Sequence, residues 1–282
     1  MKVLVTGASG FVGRHVAAQL LARGHEVIAV GRDAAKARKL PWFERVRFIA
    51  CDIHGAIDRP ADLFGQPDAV MHLAWPGLPN YDALFHFEKT LPADYRFLHA
   101  LVQGGIDRLL VTGTCFEYGM QSGALAEHLP TAPTNPYALA KDTLRKQLQS
   151  LQRQHPFTLQ WARLFYMHGE GQNASSLLAQ LDRAIDKGED SFNMSGGEQL
   201  RDYLPVREVA AHCVALLEHP GYNGVINICS GKPISVRGLA ERHLAERDSG
   251  IRLNLGHFPY SSGEPMAFWG DASRLAELLL KP

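Results

Sequence analysis

Tyr137 and Lys141 stand four residues apart, with only Ala138, Leu139 and Ala140 between them. On a helix that spacing sets a phenol and an ammonium one turn apart on the same face. A free phenol, with a pKa of about 10, is a poor acid or base at neutral pH, and a neighbouring ammonium stabilises its phenolate. The pair is therefore suited to moving a proton. Thr114 follows the apolar run Leu109–Thr112. At the carboxyl end of a strand its hydroxyl can hold a reacting oxygen while Tyr137 handles the proton.

A second group sits at the start of the chain. Gly7, Gly10 and Gly13 separate the apolar run Val3–Val5 from a helical pattern over Phe11–Arg23. A side chain at the first glycine would obstruct the turn, at the second it would block a pyrophosphate, and at the third it would lift helix from strand. The first helical turn, with Phe11 and Val12, offers free N–H groups and a partial positive charge to phosphates. The spacing is GxxGxxG, and its place between strand and helix makes it a dinucleotide signal. A bound nicotinamide beside a tuned tyrosine is machinery for moving a hydride to or from a carbinol carbon.

The second strand pattern, Val27–Val30, ends at Gly31-Arg32-Asp33. An acid at that place usually holds the ribose hydroxyls of NAD, while an arginine nearby accommodates the phosphate of NADP. Gly31 stands where the carboxylate would point, Arg32 follows at once, and Arg14 and Lys36 can add charge. This favours NADP(H), with NAD(H) the alternative.

These groups need a frame. Apolar runs at Val3–Val5, Val27–Val30, Arg47–Ala50, Asp68–Leu73, Arg108–Thr112 and Thr158–Phe165 alternate with helical segments, which is the pattern of parallel βαβ units. Phe85–Gln103 reads as one long helix with Pro92 near its start or at a kink. Asn135 and Pro136 suit the start of a helix that carries Tyr137 and runs to about residue 154. The expected fold is α/β: a doubly wound parallel Rossmann sheet over residues 1–165, with a smaller, discontinuous α/β substrate lobe over 166–282. Some segments of that lobe are expected to return to the main sheet.

Composition narrows the partners. Lys+Arg and Asp+Glu both number 29, so the net charge is zero and neither nucleic acid nor an anionic membrane is an expected partner. Cys51, Cys115, Cys213 and Cys229 form no CxxC pair and read as reduced thiols of a cytoplasmic protein. No HExxH or HxH pattern occurs, so no metal site is expected. No signal-like or membrane-spanning run is evident.

Beyond the glycine turn and Tyr137/Lys141, the segments TGASGFVG and Thr114-CFEYG resemble an extended short-chain dehydrogenase/reductase of the nucleotide-sugar epimerase/dehydratase family. The resemblance covers nearly the whole chain. It implies that Asp52 and Ile53, in the CDI segment, meet adenine, and that Leu73 and Ala74, in HLAW, line the cofactor. It implies that Arg201, in RDYLPVREVA, grips a sugar-nucleotide diphosphate. Tyr166 stands where the family has a substrate-facing asparagine, and Trp75 is unusual beside the nicotinamide. Cys115 and Phe116 occupy the places of the Asp-Glu pair with which dehydratases eliminate water, which disfavours that reaction.

The resemblance and the residues together imply an NADP-dependent reductase acting on a nucleotide-linked 4-keto-6-deoxyhexose. The alternatives are a nucleotide-sugar 4-epimerase with tightly bound NAD and a non-catalytic NADP-binding sensor or scaffold. The family also implies a homodimer through the helices at Phe85–Gln103 and Pro136–Gln154. On that reading Leu144, Leu148 and Leu151 belong either to the interface or to the chain's own core.

Overall fold

A computed structural model describes residues 1–280. Its strands are β1 (Lys2–Thr6), β2 (Glu26–Gly31), β3 (Arg47–Ala50), β4 (Ala69–His72), β5 (Arg108–Thr114), β6 (Gly123–Leu125), β7 (Thr158–Leu164), β8 (Tyr166–His168), β9 (Ser191–Asn193), β10 (Leu200–Pro205), β11 (Gly224–Ile228), β12 (Pro233–Ser235), β13 (Arg252–Asn254) and β14 (Phe268–Gly270). Its helices are α1 (Phe11–Ala22), α2 (Ala34–Arg38), α3 (Pro60–Leu63), α4 (Leu91–Gln103), α5 (Pro136–Gln154), α6 (Leu177–Asp186), α7 (Val206–Glu218), α8 (Val236–Glu246) and α9 (Ser273–Leu280).

Seven parallel strands form the main sheet in the order β11-β7-β5-β4-β1-β2-β3. Val3, Leu4 and Val5 of β1 are all buried, because helices cover both faces of the sheet. On one face Val3 and Val5 pack with Val16, Ala17 and Leu20 of α1 and with Cys213, Val214 and Leu217 of α7. On the other, Leu4 and Ile28 pack with Phe97, Leu98 and Leu101 of α4 and with Leu144, Leu148 and Leu151 of α5. Those three α5 leucines thus lie in the chain's own core.

Strand order reverses on either side of β1, which pairs with β2 and β4. A crevice opens at the carboxyl ends of strands at such a switch point. The turns after β1 and β4 meet there.

One expected helix is divided. Residues His86–Thr90 form a wide π-type turn, and regular α4 begins at Leu91 with Pro92 in its first turn. Proline has no N–H to donate and fits only where no intrahelical bond is needed, so the helix restarts at that point.

The later part of the chain contributes in two ways. β11 adds to the main sheet beside β7, with α7 and α9 against the same core. α6 and α8 build a second cluster around Leu178, Leu181, Leu239 and Leu244. The remaining strands form three small sheets, β12-β10-β8, β13-β9 and β14-β6. Among the described residues no helix is long and apolar enough to cross a membrane.

Candidate active site

The crevice at the switch point is a cavity of about 950 Å³. Gly7, Gly10, Phe11, Val12 and Gly13 line one wall, Arg32, Asp52 and Ile53 one end, and Thr114, Tyr137 and Lys141 the other. Leu73, Ala74, Trp75 and Tyr166 also line it. The catalytic, cofactor and sugar-pocket candidates therefore face one space, while Arg14, Asp33 and Arg201 lie outside it.

The glycine turn is closed too tightly for side chains. Gly7 has φ +68°, and a Cβ there would lie 2.8 Å from the Ala74 nitrogen. A Cβ on Gly13 would lie 2.1 Å from the Gly7 oxygen. No side chain caps α1 at Gly10, and no acid stands in its first turn. The first N–H groups of α1 therefore remain available to phosphate, and the cradle fits a dinucleotide pyrophosphate.

At the far end of β2, Gly31, Arg32 and Lys36 line the cavity. Asp33 instead caps α2, its carboxylate accepting the Lys36 N–H at 2.9 Å. Asp52 accepts the His54 N–H at 3.1 Å, which fixes the turn after β3.

Asn135 caps α5 by accepting the Ala138 N–H at 2.8 Å, with Pro136 at the first helical position. That start delivers Tyr137 and Lys141 to the cavity. Tyr137 is 7% exposed and lines the cavity together with Thr114. Its ring packs against Trp75, Tyr81 and His86, with centroids 5.4–5.8 Å away. Burial pushes its phenol above the ordinary range, and the Thr114 side chain works the other way.

Lys141 does not provide the expected lowering in this state. Its Nζ donates to the Thr112 carbonyl at 2.8 Å and lies 4.0 Å over the Trp75 ring. Burial pushes the Lys141 ammonium down to about 8, with Asp94 and Glu117 opposing that shift. Trp75 thus serves both cavity and core, with its indole N–H donating to His86 Nδ1 at 3.0 Å.

Glu117 is the residue that sequence reasoning passed over. Its buried carboxylate accepts the Thr114 N–H at 2.9 Å, the Trp161 indole N–H at 2.9 Å and the Arg163 guanidinium at 2.7 Å. It holds Thr114 from below and does not face the cavity. A capping box at Thr114 and Glu117 was the available signal: Thr, then Glu three residues on. Cys115 packs with Tyr118, Phe165, Cys229 and Phe268, and burial raises its thiol far above the ordinary range, so it is a packing residue.

Arg201 lies behind Tyr166. Its guanidinium donates to Glu264 at 2.9 Å, and Glu264 also accepts the Tyr166 hydroxyl at 2.5 Å. The arginine sits 4.5 Å over Phe268 and is 5% exposed. The expected diphosphate grip is thus engaged by a carboxylate from the chain itself. Among the described residues no cluster of His, Cys, Asp and Glu is arranged to hold a metal ion.

A doubly wound sheet whose glycine-turn crevice opens onto Thr, Tyr and Lys side chains defines an extended short-chain dehydrogenase/reductase. Residues 3–229 match the NAD dependent epimerase/dehydratase family, and the chain belongs to it. A dTDP-6-deoxy-L-talose 4-dehydrogenase (NAD(+)) of Aggregatibacter actinomycetemcomitans is 29% identical over 96% of this chain and 99% of its own. UDP-arabinose 4-epimerase 1 of Arabidopsis thaliana is 26% identical over 98% of this chain and 74% of its own. Among solved structures, a UDP-N-acetylglucosamine 4-epimerase from Methanobrevibacter ruminantium M1, in complex with UDP-N-acetylmuramic acid, superposes with a TM-score of 0.89. It is 26% identical and covers 100% of this chain and 92% of its own. The chain is therefore similar to enzymes that act on nucleotide sugars.

Proposed function

We propose that this chain reduces the keto group of a nucleotide-linked 4-keto-6-deoxyhexose with NADP(H). The observation that carries the reading is the ribose corner after β2. Gly31, Arg32 and Lys36 face the cavity there, while the Asp33 carboxylate is engaged in capping α2. Two cations, with the intervening Asp33 turned to the α2 cap, suit a 2′-phosphate. A cofactor exchanged at every turnover suits net reduction. The Aggregatibacter relative, by its name, works at the same carbon of a 6-deoxyhexose in the oxidising direction. Its named cofactor is NAD(+), so the ribose corner is where the two proteins would differ.

A bound nicotinamide would supply the hydride. Tyr137 would donate the proton to the sugar oxygen, and Thr114, in the same cavity, would orient that oxygen. Lys141, held between the Thr112 carbonyl and the Trp75 ring, supports charge beneath the tyrosine and meets the nicotinamide ribose. Asp52 and Ile53 hold adenine, and Leu73 and Ala74 pack along the cofactor. Trp75 and Tyr166 shape the sugar pocket within a substrate lobe of residues 166–282. Anchoring the diphosphate with Arg201 requires Glu264 to give way. Cys115 and Phe116 offer no acid/base pair, so water elimination is not part of this reading. A homodimer paired through α4 and α5 belongs to the same reading, by resemblance.

The second reading is a 4-epimerase with NAD held through the cycle, and the Arabidopsis and Methanobrevibacter relatives favour it. Cofactor analysis separates the two. Purified protein is denatured to identify any released nucleotide, and NADPH and NADH are then titrated by fluorescence. Protein that arrives empty and binds NADPH at least about tenfold more tightly supports the reductase. Stoichiometric NAD surviving purification overturns it in favour of the epimerase.

A further inference from the structure

Behind the cleft lies a buried carboxylate that none of these steps uses. Asp94, in the first turn of α4, has no exposed surface. Its Oδ1 accepts the Nε2–H of His54 at 2.7 Å and faces Nε2 of His72 at 3.4 Å. His72 ends β4, and its Nδ1 lies 3.0 Å from the Thr6 hydroxyl at the end of β1. The same hydroxyl oxygen accepts the N–H groups of Leu73 at 3.2 Å and Ala74 at 3.3 Å. With both lone pairs engaged, the Thr6 hydroxyl gives its own proton to His72 Nδ1. That leaves Nε2 as the His72 nitrogen that faces Asp94.

The result is a buried polar cluster, in which hydrogen bonds join Asp94 to His54 and Thr6 to His72, Leu73 and Ala74, and the two halves meet where His72 faces Asp94 at ion-pair distance. Both of its ends line the cofactor cavity. Burying a carboxylate is expensive, and an apolar side chain would fill this space at less cost. Such a side chain would leave the His54 ring without its acceptor and His72 facing no charge.

We propose that Asp94 is a positioning residue that ties the segment Asp52–His54 to the Leu73–Ala74 turn, so that one buried carboxylate holds both ends of the dinucleotide cleft in register. The proposal rests on the cofactor cleft assigned above, and not on the choice between reductase and epimerase. The hydrogen bond to Asp94 raises the His54 pKa against burial; Asp52, beside it, pushes the same way, and Arg32, after β2, opposes. The tie is therefore strongest when His54 is charged, and it weakens as pH rises through that pKa.

The test is dinucleotide affinity, measured by fluorescence with NADH and NADPH from about pH 5.5 to 8.5. Wild type, Asp94→Asn, His54→Gln and the double variant are compared, with thermal melts reporting folding. Asp94→Asn is expected to weaken binding about tenfold and His54→Gln less, with the double variant no weaker than Asp94→Asn alone. Lys141, in the same cavity, also titrates in this range, at about 8, so the two pH profiles are compared with one another. Wild-type affinity falls with rising pH, and His54→Gln flattens the part of that fall that His54 supplies. A folded Asp94→Asn with wild-type affinity, strictly additive losses, or a His54→Gln pH profile identical to that of wild type would each overturn the proposal. Should Asp94→Asn fail to fold, the difference between those two profiles decides alone. Wild-type protein that bound neither cofactor would instead sink the cofactor reading.

Discussion

Tyr137 and Lys141 occupy one helical face, yet they meet different surroundings. The phenol lies against three rings in the cavity it shares with Thr114, and burial keeps it protonated. That is the state a proton donor needs before the hydride arrives. Tyr137→Phe keeps the ring packing and removes the proton. It is expected to lower kcat by about 100-fold or more while cofactor affinity stays within about threefold, as single-turnover kinetics and fluorescence titration can check. Lys141 carries the opposite cost. Its ammonium is 1% exposed, and burial depresses its pKa from 10.5 to about 8. The folded state therefore binds fewer protons than the unfolded state between those two values, so this group makes stability rise with pH across that window. Below about pH 8 the charged amine is a net burden on folding. Lys141→Met is expected to raise the unfolding free energy by about 1–2 kcal/mol at pH 7, a gain that shrinks between about pH 8 and 10.5, while turnover is lost. Urea titrations at three pH values would show it. A variant less stable than wild type at pH 7 would refute the account.

At the scale of elements, the placement of Thr114 depends on a short turn. β5 ends at Thr114, and the 3₁₀ turn Cys115–Tyr118 follows at once. Glu117 on that turn reaches back to Thr114 and across to Trp161 and Arg163 of β7. One carboxylate thus fixes where β5 stops and locks it to its neighbour. Glu117→Gln keeps the size and one acceptor but leaves the Arg163 guanidinium buried without a counter-charge. Removing one member of a buried pair costs about 3–5 kcal/mol, so about 3 kcal/mol is expected from urea unfolding, with reduced turnover from a displaced Thr114. This feature shows where sequence reasoning stops. The strand and Thr114 were legible, because an apolar run is a local pattern; the TxxE box that makes the turn is equally local and was passed over. The partners of Glu117 lie 44 and 46 residues away, and no local pattern announces them. The Arg201–Glu264 pair spans 63 residues and was hidden for the same reason. Strands of only three residues, such as β8, β9 and β12, are too short to show an alternating pattern, so the small sheets went unseen.

On the scale of the whole molecule, the seven-stranded sheet cannot be completed by the part of the chain that carries Gly7 to Lys141. Its last strand, β11, lies beyond residue 220, and α7 covers the same face as α1. The sequence showed the change of texture near residue 165, but a change of texture is not a boundary of folding. Val209, Ala210, Cys213, Val214, Leu216 and Leu217 of α7 are all essentially buried, in one cluster with β1 and α1. Burying a side chain of this kind is worth roughly 1.5–3 kcal/mol, so α7 alone supplies on the order of 10 kcal/mol of burial. A whole domain is stable by only about 5–15 kcal/mol. A fragment ending at residue 165 would lose that cover and expose the β7 edge, with its paired surface unmet. The fragment 1–165 is therefore expected to keep helical far-UV signal but lose near-UV ellipticity, bind the hydrophobic dye ANS and fail to bind NADPH or NADH. A cooperative melt together with cofactor binding in that fragment would show that the first 165 residues fold alone, and that the later segments merely rest on them.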